Sequence, residues 1–132
     1  MKKSILAIDD DVSVCELYEQ GLALYGYEIA CVNNAGKAKA YLATKKPDLI
    51  LMDIMMPDQD GISLTREIHS APDTAHIPIL VISGLADAGT LNDALLFGAV
   101  DYLVKPVDLE DLKMKIEHAF ALVERRKAAR SK

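Results

Sequence analysis

The sequence predicts an α/β protein, a doubly wound (βα)5 domain with one five-stranded parallel sheet and helices on both faces. Two observations carry that expectation. Apolar, β-rich runs alternate with segments of helical spacing along the whole chain. The runs also lack the in-out polarity of strands with one wet face, as expected of parallel strands buried on both sides.

The strand candidates are Ile5–Ile8, Tyr27–Val32, Leu49–Met52, Ile79–Ile82 and Tyr102–Val104. The clearest helix is the last, where Leu109, Leu112, Ile116, Phe120 and Val123 recur at three- and four-residue steps after Asp108, a candidate N-cap. Asp11, or Ser13 with Glu16 three residues on, is placed to cap the first helix, and Asp60 reads as a loop acid or, alternatively, as the cap of the third. Gly26, Pro47, Gly61, Pro78 and Gly98 punctuate the boundaries. No internal repeat, low-complexity segment or internal boundary interrupts the pattern.

At 132 residues the chain suffices for one domain with a full core. Met1-Lys2-Lys3 is basic, but Asp9 ends the apolar run that follows, so neither a signal peptide nor a membrane span is expected. The expected compartment is the cytoplasm. Cys15 and Cys31 fit no zinc or redox spacing and are expected to be free thiols there.

The net charge is −5 and unevenly spread. Removing the five bases Arg125, Arg126, Lys127, Arg130 and Lys132 from a net −5 leaves the rest at −10. An acidic body argues against direct nucleic-acid binding. Residues 1–124 are therefore read as the domain, and 125–132 as a basic tail, a helix end or the start of a linker.

In a doubly wound sheet, ligands bind at the carboxyl ends of the strands. Asp9 and Asp10 follow the first strand, Asp53 the third, Ser83 ends the fourth and Lys105 follows the fifth. Two carboxylates at ~4 Å repel by roughly 4 kcal/mol at an effective dielectric of ~20. Protonation or a divalent cation relieves this, and oxygen-only ligands suit Mg²⁺. A lysine and a hydroxyl nearby complete a cradle for a phosphoryl group, with Asp53 as nucleophile.

The set Ile8-Asp9-Asp10, Asp53 with Met56-Pro57 and Asp60-Gly61, Ser83, Tyr102 and Lys105-Pro106 resembles the receiver domains of two-component response regulators. Asp53 lies 30 positions before Ser83 and 52 before Lys105, separations typical of that family. The likeness is to a chemotaxis-regulator-like single domain and covers nearly the whole chain. It implies a flavodoxin-like strand order, 2-1-3-4-5. It also implies that Asp53 accepts phosphate from a sensor histidine kinase or a histidine phosphotransfer protein. Asp9, Asp10, Asp53 and the backbone carbonyl of Met55 would hold Mg²⁺, with Mn²⁺ an alternative. Lys105 and Ser83 would contact phosphoryl oxygens. Tyr102 would be an aromatic switch coupled to Ser83, the Lys105-Pro106 bond would be cis, and the face formed by the fourth helix, fifth strand and fifth helix would rearrange or dimerise.

Such a module catalyses only its own phosphorylation and dephosphorylation. A binding module that dispenses with phosphate would have no need of the intact acid–hydroxyl–lysine set. A phosphohydrolase commonly has a second acid two positions after its nucleophile, where this chain has Met55. Met55 and Leu85, each two positions past a site residue, are expected to tune the lifetime of the acyl phosphate by positioning water poorly. Gly84 stands where alanine is common and is expected to loosen the switching loop. His69, His76 and His118 show no ligand spacing and are expected at the surface, and Asp58 reads as a loop acid. The output partner is not named by the residues. A stand-alone regulator or phosphorelay intermediate is expected, and the basic tail leaves open that the chain is the front of a longer protein.

Overall fold

The computed structural model describes residues 2–84 and 88–130. The elements are β1 (Ser4–Ile8), α1 (Val12–Ala23), β2 (Glu28–Val32), α2 (Ala35–Thr44) and β3 (Leu49–Asp53). They continue as α3 (Gly61–Ser70), β4 (Ile79–Ser83), α4 (Ala88–Leu96), β5 (Asp101–Val104) and α5 (Leu109–Arg130). All pairings are parallel and the strand order is β2-β1-β3-β4-β5, the order that the resemblance implies.

Alternating residues of each central strand feed two different cores. Leu6, Ile8, Ile50, Met52, Ile79 and Val81 meet the inward residues of α2, α3 and α4. Their neighbours Ile5, Ala7, Leu49, Leu51, Leu80 and Ile82 meet α1 and α5 through Tyr18, Leu22, Leu112 and Ile116. The continuous apolar runs thus have their cause in two covered faces. Edge strands behave differently: β2 and β5 are largely half-buried. Asp101 belongs to β5 although it is charged, because Lys115 of α5 covers its carboxylate at 2.7 Å.

Helix starts follow capping chemistry. Asp11 accepts from Ser13 N–H at 2.9 Å, Asn34 from Lys37 N–H at 2.8 Å and Asp60 from Ser63 N–H at 2.8 Å. Asp108 accepts from Glu110 N–H at the start of α5. The last turns of α5 carry Arg125, Arg126, Lys127 and Arg130, where cations suit the helix dipole. Among the described residues, no helix is long and apolar enough to cross a membrane.

The cysteine expectation fails. Cys15 of α1 and Cys31 of β2 form a disulfide with a Cα–Cα separation of 5.9 Å, and they are not free thiols. The sequence separation of 16 carries no motif. The pairing arises because α1 packs on the face of the sheet to which Cys31 points.

Candidate functional site

The acids converge because β1 and β3 are neighbours in the sheet while their connections leave in different directions. Asp9 follows Ile8, and its backbone N–H donates to Val32 of β2 at 3.1 Å. Asp53 does not follow β3 but is its last residue, in register with Ile82 of β4. Oxygen atoms of Asp9, Asp10 and Asp53 all lie within 4.8 Å of one another. Asp9 and Asp53 are buried, and Asp10 is exposed at the mouth.

Lys105, one residue past β5, closes the cluster. Its Nζ lies 2.9 Å from Asp9 Oδ2 and 3.5 Å from Asp53 Oδ1. Its backbone N–H donates to the Ser83 carbonyl at 2.8 Å, and the Lys105-Pro106 peptide is cis. Burial alone would lower the Lys105 ammonium, but the hydrogen bond to Asp9 and the charges of Asp53 and Asp9 hold it above its ordinary value. Burial, and next the charge of Asp9, push the Asp53 carboxyl from 3.8 up to about 6, with Lys105 opposing and Asp10 adding.

Ser83 is fully buried at the end of β4. Tyr102, in register with Val81, is half-buried against the core of α2, α3 and α4. Met55 sits in the loop after β3 with an exposed side chain. Leu85 lies outside the described residues. His69, His76 and His118 are exposed, as expected.

Three features escaped the sequence reading. Asp58 is more than a loop acid: its carboxylate accepts from Ala35 N–H at 3.0 Å and Gly36 N–H at 2.9 Å, which fastens the β3–α3 loop to the start of α2. Those backbone bonds hold its carboxyl below the usual range. Gly61 donates to Ile54 at 2.7 Å, and a Cβ there would meet the Asp53 carbonyl oxygen at 2.0 Å. Only glycine admits that close approach. Tyr18 is buried with a hydroxyl that has no partner among the described residues. Burial raises it first, then the charges of Asp9 and Asp53. Backbone partners and empty space have no signature in residue identity, so only the periodicity of α1 could have placed Tyr18 inward.

The donor set fits a hard divalent cation: three carboxylates, no nitrogen or sulfur, and an open side at Asp10. Fold and site together define a parallel α/β domain with an acidic, lysine-closed pocket at its switch point.

The chain belongs to the response regulator receiver domain family, whose match spans residues 5–117. It is 36% identical over 126 residues to the regulatory protein AtoC of Escherichia coli (strain K12), covering 96% of this chain and 27% of that protein. It is 38% identical over 116 residues to the transcriptional regulatory protein KdpE of Staphylococcus aureus, covering 88% of this chain and 49% of that one. Among solved structures, it resembles a CheY-like response regulator receiver domain protein from Methanospirillum hungatei JF-1, with a TM-score of 0.89 and 29% identity. That likeness covers 96% of this chain and 99% of the other. The chain spans a quarter to a half of the length of these curated relatives. It is a receiver domain of two-component signalling.

Proposed function

We propose that Asp53 is the phosphoryl acceptor and that its partners in the reaction are Asp9, Asp10, Lys105 and Ser83. The observation that carries this reading is the three-carboxylate cluster within 4.8 Å, bridged from Asp9 to Asp53 by a single lysine. A carboxylate oxygen of Asp53 attacks the phosphorus of a phosphohistidine. The P–N bond breaks, its electron pair stays on the imidazole nitrogen, and that nitrogen takes up a proton. Bound Mg²⁺, or Mn²⁺ as the alternative, would supply positive charge to the phosphoryl oxygens. Asp9, Asp10, Asp53 and the Met55 carbonyl would hold that ion. Lys105, carrying a fixed ammonium, pairs with a phosphoryl oxygen, and Ser83 donates its hydroxyl to another.

The donor is a sensor histidine kinase or a phosphotransfer protein, and the setting is the cytoplasm. Movement of Ser83 toward the phosphoryl group frees space into which Tyr102 turns. The face of α4, β5 and α5 then changes shape for an output protein or domain, or for a second phosphorylated copy. Residues 125–132 continue from the domain as a basic helix end or linker. The domain's only catalysis is on its own acyl phosphate, which water hydrolyses.

Acetyl phosphate with and without Mg²⁺, followed by intact mass, tests the reading. The expected result is a Mg²⁺-dependent gain of one phosphoryl group, lost in Asp53→Asn. A gain that persists in Asp53→Asn would assign the acceptor elsewhere. No gain, or turnover of many phosphates per protein, would refute a receiver function.

A further inference from the structure

The Cys15–Cys31 pair lies beside the acid cluster, and nothing in the phosphoryl chemistry uses it. Cys15 is in the first full turn of α1, and its backbone N–H donates to the Asp11 carbonyl at 3.1 Å. Its Sγ lies 3.4 Å from the Asp9 carbonyl oxygen. Cys31 is in register with Ala7, and the next residue, Val32, accepts the Asp9 N–H at 3.1 Å. The two sulfurs therefore span the turn at Asp9 from both sides. One side is the helix that Asp11 caps, and the other is the strand that anchors the Asp9 backbone.

Redox state changes this contact chemically. A bridged sulfur has no proton, so Cys15 in the disulfide offers the Asp9 carbonyl no hydrogen bond. The Cys15 thiol would donate one. Opening the bridge also removes the covalent tie between α1 and β2, because two thiols cannot stay at bonding distance. In a reducing compartment, a cysteine pair that closes is characteristically transient and redox-sensing. Cys31 is only half-buried, so an oxidant can reach it, while Cys15 is buried and placed to complete the bond.

We propose that Cys15 and Cys31 form a reversible oxidation site, closed by hydroperoxides and opened by dithiols, whose state sets how firmly the Asp9 turn holds the acid cluster. In the closing direction a hydroperoxide oxidises the Cys31 thiol to a sulfenic acid, releasing water or an alcohol. The Cys15 sulfur then attacks the sulfenic sulfur, the S–O bond breaks, and water leaves with the Cys15 proton. In total two thiols lose two electrons and the peroxide O–O bond is reduced. The bridged form, with the turn tied on both sides, binds the divalent cation more tightly. Support around a metal ligand is worth about tenfold in affinity at the low end. The link to cation binding rests on the function proposed above, but the thiol chemistry does not.

The test uses the full chain treated with hydrogen peroxide or with dithiothreitol. Alkylation and intact mass count thiols, and titration calorimetry gives Mg²⁺ affinity. We expect no alkylatable thiols and a mass lower by two hydrogens after peroxide, and two thiols after dithiothreitol, with Mg²⁺ bound about tenfold more weakly. Cys15→Ser with Cys31→Ser should show no thiols and the Mg²⁺ affinity of the reduced protein in both buffers, and Cys31→Ser alone should leave one thiol that peroxide does not bridge within the chain. Two thiols after peroxide, or a bridge that dithiothreitol leaves closed, overturns the site. Equal Mg²⁺ affinity in both states overturns the coupling. If thiol counts and affinities behave as expected but no phosphoryl group reaches Asp53, the function reading falls and the redox site stands.

Discussion

Asp53→Asn should make the metal-free domain more stable near neutral pH while abolishing its phosphorylation. Asp53 is 5% exposed, and burial with the neighbouring charge of Asp9 raises its carboxyl from 3.8 to about 6. A raised folded-state value means that its stabilising contribution is full below about pH 3.8 and is lost as pH rises through about 6. At ~1.4 kcal/mol per pH unit, ionisation costs the fold up to about 3 kcal/mol near pH 7. The open mouth at Asp10 lets water screen part of that charge, which brings the expected difference to about 1–2 kcal/mol. Asparagine keeps the shape and removes the charge.

The assay is urea unfolding with chelator present, followed by far-UV circular dichroism because the chain has no tryptophan. With a slope of about 2 kcal/mol/M, the variant midpoint should lie about 0.5–1 M above wild type near pH 7. The gap should close near pH 4. Asp58, Glu67 and Asp73 are held low in both proteins, so their titration cancels in the difference. In Mg²⁺ at about a hundred times its dissociation constant, wild type should gain about 2.7 kcal/mol and the variant less. Parallel pH profiles for the two proteins would refute the account of Asp53 as an uncompensated buried charge.

Further outcomes are expected at other positions. Lys105→Ala removes the cation that contacts both Asp9 and Asp53, and should slow phosphorylation by acetyl phosphate about 10²-fold, read as the rate of mass gain. Gly61→Ala drives a methyl against the Asp53 backbone and should cost about 3 kcal/mol in urea, whereas Gly84→Ala meets nothing among the described residues and should gain about 0.4–1 kcal/mol. Reducing the Cys15–Cys31 bridge opens a loop with a sequence separation of 16 and should lower stability by about 3 kcal/mol, seen as a lower melting temperature in dithiothreitol. Met55→Asn with Leu85→Glu should shorten the life of the acyl phosphate by about tenfold, read as loss of the phosphoryl mass over time, and an unchanged lifetime would remove those positions from rate control.

The strands were legible because central parallel strands have no wet face, so Leu49–Met52 and Ile79–Ile82 stand out as apolar runs. The end of β3 was less legible because its last residue, Asp53, is charged yet belongs to the strand itself, whereas Ser83 already read as the end of the fourth strand. Asp101 was missed in β5 because its burial depends on Lys115, 14 residues away. Site side chains were readable as rare polar groups at strand tips. The supports were not, since Asp58 binds backbone N–H groups of residues whose identity is immaterial. The disulfide was hidden for a related reason: it depends on α1 packing beside β2, a contact between elements and not a spacing.

The charge count at the switch point ties these observations together. Three carboxylates and one ammonium leave a net −2 in a pocket where two of the carboxylates are buried. Lys105 reaches Asp9 more closely than Asp53, so the acid of the proposed chemistry is also the less relieved of the buried pair. Burial and the charge of Asp9 therefore outweigh Lys105 there and raise the Asp53 carboxyl to about 6. A dication would offset the remaining charge and keep Asp53 ionised, the state that the proposed attack on phosphorus needs. Each support removed from the pocket, whether the Asp58 fastening, the Gly61 approach or the Cys15–Cys31 tie, leaves that charge in place and loosens the frame that holds it. Such variants should therefore lose cation affinity before they lose the fold.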